Sequence, residues 1–437
     1  MKPISRTSLR ASLAGLSLAG VMAAAPGVAQ AEDLTLWSHV VHKQVVEGER
    51  GGAEVNLGMQ FTEATGDSLT WSTIAFDQMQ DKILREINLP RSEANIVFIL
   101  NTWAAPNVLA KLAPLDAFMA ADPIADMEDL APAMVDAYTD GEGVKGIPIR
   151  HNPQLLHYNR AIFEAQGIDG EPATIEEFMA DAKAATFKRE DGAQVYGFAF
   201  ETNQAEDLVV LIRAYGGEVL TKDLDIRVNE PEAVAAISAL RDLFEAGALP
   251  ANLAILKPAD LQNLMSQGLI AMGIFGDNYY DRFADPEQSQ VAGDTWFAPV
   301  PASEGNDMAD YASSAGFWSM AIPKNSDEAA REDAYRFIAF LAAPDNQLTL
   351  ALNNNSPVRA SIYSNPEYAD GVPYSDVVQK VLPIAAPPFP AFPGSKDAEG
   401  IFLEQAVSAI TGQKDVQQAM DDAASGIERV LKREGLR

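Results

Sequence analysis

The stretch from Gly146 to Thr186, GIPIRHNPQLLHYNRAIFEAQGIDGEPATIEEFMADAKAAT, constrains the fold more tightly than any other part of the chain. Ile147, Ile149, Leu155, Leu156 and Tyr158 supply strand-like apolar content. Asn159 then opens a brief helix that Gly167 can close in the left-handed conformation. After a turn at Pro172, Thr174 and Glu177 have the spacing of a capping box, in which each side chain satisfies a free amide at a helix start. Behind them Ile175, Phe178, Ala182 and Ala185 recur at helical spacing.

The same alternation runs along the rest of the chain. Leu34 to Trp37 reads as a short strand, and Phe76, Met79, Ile83 and Ile87 mark an amphipathic helix with Asp81 and Arg85 one turn apart. Asn95 to Leu100 is almost wholly apolar, as a strand buried on both faces requires. Ile270 to Phe275 and Phe317 to Ile322 repeat that pattern. Pro231 begins a helix carrying Val234, Ile237, Leu240 and Phe244, which Gly247 ends. Ser326 is placed to cap a helix carrying Phe337, Ile338 and Leu341 up to Pro344. Strands alternating with helices predict an α/β fold on mainly parallel sheets. Pro383 to Pro393, with five prolines, reads as a rigid surface segment.

Residues 1–31 read as an export signal. Lys2, Arg6 and Arg10 precede an apolar run from Leu13 to Val28, and Ala29-Gln30-Ala31 offers the small-x-small pattern of a cleavage site. The start lacks consecutive arginines, which predicts the general secretory route, and no Cys follows to carry a lipid. Cleavage after Ala31 would release a periplasmic protein of 29 basic and 62 acidic residues. That balance argues against nucleic acid and anionic membranes as partners. The chain has no Cys, and its length makes a core of two or three domains' worth possible without disulfides.

The opening stretch resembles the extracellular solute-binding proteins of carbohydrate-type ABC importers, family 1, maltose-binding-protein-like. There a Pro-containing strand is followed by "YN", a hydrophobic pair, "Gly-Ile", a Pro and "T-x-E-E-F". Here these are Pro148, Tyr158, Asn159, Ile162, Phe163, Gly167, Ile168, Pro172, Thr174, Glu176, Glu177 and Phe178. The resemblance implies a two-lobed periplasmic-binding-protein fold (type II, Venus-flytrap) with a hinge between lobes. By analogy, residues 32–148 and 308–343 form lobe one. Lobe two takes 149–307, and 344–437 makes a hinge crossing and lobe two's C-terminal part. The implied function is a receptor that captures a mono- or disaccharide or polyol in the cleft and delivers it to the permease's transmembrane subunits. It would act as a monomer, without catalysis, cofactor or metal.

A sugar site needs aromatic faces against C–H patches and polar groups against hydroxyls. The loops beyond the carboxyl ends of the strands, where such folds place ligands, supply both. They offer Trp37, Ser38 and His39 with His42; Asn101, Thr102 and Trp103; Arg150 and Asn152 beside His151; Glu201; Asn278 and Tyr279; and Gly316 and Trp318. Trp37 and Trp103 equally suit core roles at strand ends, and Trp318, inside the apolar run Phe317 to Ile322, reads as structural more than ligand-binding. In the Tyr279-Tyr280 doublet at most one ring can face the cleft if the backbone is extended. Asn353 to Arg359 resembles the family's hinge region, with Arg359 structural.

Other chemistries find less support. His39 and His42 lack a third zinc ligand and no H-E-x-x-H is present. Asp136 to Gly143 lacks the spacing of a calcium loop and reads as a turn. No G-x-S-x-G elbow, P-loop, dinucleotide fingerprint or Cys nucleophile occurs. The alternative is the same receptor fold with a non-carbohydrate solute, such as a glycerophosphodiester or polyamine. For the phosphoester, Arg150 with His39, His42 and His151 would form the anion site.

Overall fold

The computed structural model describes residues 32–437 except Gly52, residues 307–309 and the side chains of Asn278 and Asp281. The export signal expected over 1–31 lies outside the described residues. One continuous strand, Gly146–Asn159, organises the sheet. Its first half, Gly146 to Pro153, pairs antiparallel with the return strand Ala315–Ala321. Its second half pairs antiparallel with Ile270–Gly276 at Gln154 to Tyr158 and with Thr295–Ala298 at Leu156 to Asn159. Beyond the return strand lie Ile96–Leu100, Asp33–Ser38 and the edge strand Ser68–Thr73, the last two pairs parallel. On the other side Gln194–Ala199 joins Ile270–Gly276 in parallel and carries the short Phe187–Lys188 at its edge. The parallel pairs are thus internal to each end of the sheet, and the strands that cross between ends run against their neighbours.

Two large apolar cores sit on either side of the crossing. The first gathers Leu34, Leu36, Ile96 to Leu100, Ile147, Ile149 and Met320 with helix residues such as Phe61, Ile83 and Leu341. The second gathers Leu156, Tyr158, Phe198 and Met272 with helices that include Pro231–Glu245, Ser395–Ile410 and Val416–Arg433. The crossing strand therefore contributes to both, changing allegiance between Ile149 and Leu156. This is the two-lobed α/β architecture that the resemblance implied.

The local predictions around the crossing are met in detail. Asn159 accepts from the Ile162 amide at 3.0 Å and Gly167 ends the helix Arg160–Gln166 at φ +72°. The Thr174 hydroxyl accepts from the Glu177 amide at 3.2 Å, and the Glu177 carboxylate reaches back to accept from the Ala173 amide at 2.9 Å. Residues 136–143 end in a tight hairpin, Thr139–Asp140 against Gly143–Val144, with Gly143 at φ +121°.

Two expectations change. Ser326 caps no helix: its hydroxyl donates to the Pro323 carbonyl at 2.7 Å in a turn, and the helix starts later, at Arg331. Pro383 to Pro393 is only partly a surface segment: Pro383 is exposed, but Pro388, Phe389 and Phe392 are buried and the rest half-buried. Phe389 and Phe392 enter the second core while Ala385 and Ala391 lie against the first, so this rigid chain is a strap threaded between them. Its Ala386 carbonyl accepts from the Ala315 amide at 3.0 Å, fixing it to the return strand.

Arg359 ties the C-terminal crossing to the first core. It is fully buried and donates to the carbonyls of Ala342 (2.7 Å), Ala125 (2.7 Å) and Asp126 (2.5 Å), with Asp129 at 3.6 Å. Truncation strands three carbonyls at once, and breaking such a network costs roughly 3–5 kcal/mol. Arg359→Ala is therefore expected to lower stability by that amount in urea unfolding. A loss within about 1 kcal/mol, the scale of a single net hydrogen bond, would show that the carbonyls find other partners.

Candidate functional site

The cleft is built where the crossing strand changes sheets. Between Trp318 and Ser319 the pairing with the crossing strand slips by one residue, a β-bulge that leaves Ile149 without a strand partner. Its carbonyl accepts instead from the Asn355 side-chain amide at 2.7 Å. After the bulge, Arg150 and Asn152 share one face of the strand and open into a cavity of about 290 Å³. His151, between them, points the other way and meets the Tyr363 hydroxyl at 2.6 Å.

The cavity has two unlike walls. On the first-core side the rings of Trp318, His42, Phe76 and Trp103 form an aromatic cluster, with Trp318 edge-on to His42 at 4.7 Å and to Trp103 at 5.2 Å. Phe76 stands 6.2 Å from both tryptophans and is 47% exposed, an open apolar face at the cavity's edge. On the second-core side Glu201, Asn203, Gln204 and Tyr279 present polar groups. A second cavity of about 390 Å³ shares Phe76, Asn203 and Gln204 with the first and continues to Trp103, Glu206, Glu399 and Lys396. The two are compartments of one cleft.

Several polar atoms here are buried with no partner among the described residues: Arg150 Nη1, Asn152 Oδ1, Glu201 Oε1 and Glu206 Oε2. Buried polar atoms are normally satisfied, so a cluster of orphans marks a place where something else belongs. Burial pulls the Arg150 guanidinium down to about 10, with Asp277 opposing and Arg50 reinforcing, so it stays cationic at neutral pH. Burial lifts the Glu201 carboxyl to about 6. Glu206 rises to about 8 through burial and then the neighbouring charge of Glu399. Glu399 and Asp207 are also raised by burial. All four histidines are pushed down, chiefly by burial; His151 and His157 reach about 3.

Of the residues singled out from sequence, His39, Arg150, Asn152, Glu201, Tyr279 and Trp318 line the inner compartment, and Thr102 and Trp103 the outer one. Ser38 is one step removed, 2.7 Å from His42 Nδ1. Asn101 accepts from the Phe317 amide at 3.0 Å and so holds the return strand rather than lining either compartment. Gly316 pairs with Asn152 in the sheet. Trp37 packs half-buried against the first core and lines neither compartment. Asn278 lies in the turn Asp277–Tyr279, and its side chain is outside the described residues. Tyr280 turns away to Phe297 and Tyr374. The anion site built from four basic groups does not form: His151 faces away, and burial keeps His39 and His42 short of protonation at neutral pH.

Phe76, Glu206, Lys396 and Glu399 lie outside the set that the sequence singles out. Phe76 shares the helical stripe of Met79 and Ile83, which periodicity assigns to the core, yet it is the first residue of its helix and follows closely on the strand Ser68–Thr73. That strand is mostly polar, so its sequence gives no sign of a strand end there. Among the described residues no group of three or more His, Asp or Glu side chains is arranged to hold a metal ion.

The family model for bacterial extracellular solute-binding proteins matches residues 46–348. A Brucella abortus (strain 2308) protein named only as a putative binding protein is 24% identical over 378 residues, 85% of this chain and 87% of that one. Among solved structures, an ABC transporter solute-binding protein of Agrobacterium radiobacter K84 in complex with ribitol superposes with a TM-score of 0.78 at 21% identity, covering 92% of this chain and 99% of that one. Maltose-bound MalE3 of T. maritima superposes at 0.77 and 21%, covering 92% and 100%. At such identities the likeness speaks for the fold.

The raised carboxyls set a pH dependence for the ligand-free protein. Glu206 keeps its proton in the folded chain to about pH 8 but ionises near 4.5 when unfolded, so its stabilising contribution is lost as pH rises between these values. The histidines act oppositely: neutral when folded, they add stability as pH rises toward 6.5, and nothing more above it. Between pH 6.5 and 8 the carboxyl trend stands alone. Stability is expected to fall by roughly 1 kcal/mol across that window, after discounting for partial solvent access. Glu206→Gln should flatten the curve, and an unchanged slope in that variant would refute the assignment.

Proposed function

The chain belongs to the bacterial extracellular solute-binding proteins, and on that premise we propose that it captures a sugar or polyol in the cleft and hands it to the permease of an ABC importer. The observation that carries this reading is the pairing of an aromatic wall with a wall of under-satisfied polar groups. Pyranose and polyol ligands present C–H surface and directional hydroxyls together, and need both walls at once. Arg150 Nη1 donates, Asn152 Oδ1 accepts, and Glu201 does either depending on its proton, so hydroxyls find partners of each kind.

The lobes expected from sequence, 32–148 with 308–343 and 149–307 with the C-terminal part, serve in this reading as two jaws about the crossing strand. Solute bridging both walls favours the closed arrangement, because only there do both sets of contacts form. The reading places the protein in the periplasm after removal of the export signal, acting as a monomer.

The test is calorimetry and thermal shift with sugars, polyols, glycerophosphodiesters, polyamines and amino acids. Ligand at about a hundred times its dissociation constant stabilises the folded form by roughly 2.7 kcal/mol, a readable shift. A response confined to sugars or polyols is expected. A response confined to phosphoesters would transfer the function to the alternative solute, with Arg150 as the anion partner. Phe76→Ala and Asn152→Ala should each weaken binding by about tenfold, the scale of one lost aromatic or hydrogen-bond contact, with little change in apo stability. Unchanged affinity in both would remove the cleft from the reading.

A further inference from the structure

The outer compartment is more acidic than neutral hydroxyls require. Among the described residues Glu206, Glu399 and Asp77 line it with a single cation, Lys396, and that ammonium lies 3.9 Å from Asp81 outside the compartment. Glu201 lines the adjoining inner compartment, 3% exposed, one oxygen bonded to Gln204 at 2.8 Å and the other unpartnered among the described residues. Glu399 accepts one bond, from the Ala205 amide at 3.0 Å. Asp207, behind them, accepts from the Glu201 amide at 2.8 Å. Sharing the compartment with these carboxyls are Trp103 and Phe76, whose ring faces attract a cation and give nothing comparable to an anion. Arg150, the other fixed positive charge, lies in the inner compartment.

Resting on the sugar reading above, we propose that the solute is an amino sugar, its ring in the inner compartment and its primary ammonium in the outer one between Glu206, Glu399 and the Trp103–Phe76 rings. An ammonium brings three donors to a place rich in acceptors. It also lets Glu206 and Glu399 ionise side by side, which a neutral hydroxyl does not. The energetic consequence is specific. Without ligand, Glu206 holds a proton at neutral pH; a cation beside it favours the carboxylate, so binding expels that proton. Affinity for the amine must then rise with pH as long as the amine stays protonated. A neutral sugar bound by the protonated carboxyl shows no such rise.

The experiment is calorimetry on the mature protein with glucosamine, galactosamine and their disaccharides, each beside its N-acetylated and neutral counterparts, and with putrescine as a ringless amine. Measurements run from about pH 5.5 to 7 in buffers of differing ionisation enthalpy. An amino sugar is expected to bind at least about tenfold more tightly than its neutral counterparts at pH 7, with affinity rising over the range and up to one proton released. Glu206→Gln should erase the preference and the proton release. Glu399→Gln, which keeps an acceptor for the Ala205 amide, should reduce the preference and serves if the first variant is unstable. Neutral sugars binding as well as amino sugars, without pH dependence, would overturn this inference and leave the sugar reading standing. Binding of putrescine alone would overturn both, and binding of nothing would overturn this inference.

Discussion

The constraint on which the molecule depends is that one extended segment, Gly146–Asn159, serves both cores. A strand has side chains alternating between faces, so once Ile147 and Ile149 are committed to the first core the phase of the remainder is set. Continued without interruption, that phase would put Arg150 and Asn152 opposite the apolar layer throughout. The bulge at Ile149 lets the strand turn as it leaves one core for the other, while Arg150 and Asn152 keep a common face toward the cleft. Asn355 makes the bulge tolerable by donating to the stranded Ile149 carbonyl. The residue that stabilises the irregularity thus comes from the C-terminal crossing, and the cleft floor is defined only when both crossings are in place.

This explains which parts of the fold are legible in the sequence. Elements with a local cause can be read: the caps at Asn159 and Thr174, the left-handed Gly167, the apolar strands Ile96–Leu100 and Ile270–Gly276. So can the general location of the site, because ligands gather at strand ends. What escapes depends on long-range placement. Trp37 and Trp318 look alike in sequence, and both belong with the first core, Trp318 as a buried member and Trp37 packed against it, but of the two it is Trp318 that also lines the cavity. Phe76 fits a core stripe by spacing and stands in the cleft by being first in its helix. Glu399 and Lys396 arrive from more than 190 residues beyond Glu201, on a helix whose N-terminus carries no cap motif. The strap at 383–393 hides for the same reason: proline content reports stiffness and says nothing about what lies on either side.

The cleft is one of the places where the chain accepts an energetic penalty. Each buried polar atom without a partner costs about 1–3 kcal/mol, and among the described residues Arg150, Asn152, Glu201 and Glu206 all carry one. Some polar groups buried beside the crossings are well bonded, as at Arg359 with its three carbonyls and Tyr138 with the Ile99 carbonyl at 2.9 Å, whereas others, such as Trp71 Nε1, Gln347 Oε1 and Asn353 Oδ1, have no partner among the described residues. The four cleft groups differ in lining a cavity that a solute can enter. Such a penalty is recovered only by a molecule that offers matching groups in matching directions. It makes the site selective against apolar solutes and against solutes that satisfy one wall alone.

Charge follows the same local logic. The whole chain carries a formal −30, yet the field in the cleft is set by a few desolvated groups. The inner compartment holds both Arg150 and Glu201, and burial, by raising the carboxyl and depressing the guanidinium, brings both closer to neutrality. Hydroxyls are the natural partners of such a balanced pair. Outward from it the balance fails: the charge of Glu399 adds to burial in raising Glu206, and among the described residues no arginine lines that compartment to compensate. The histidines that could have supplied positive charge are held neutral by the packing that fixes the aromatic wall. A solute that fits this gradient must itself be graded, polar and neutral where it meets the crossing strand and richer in donors where it meets the helix Ser395–Ile410.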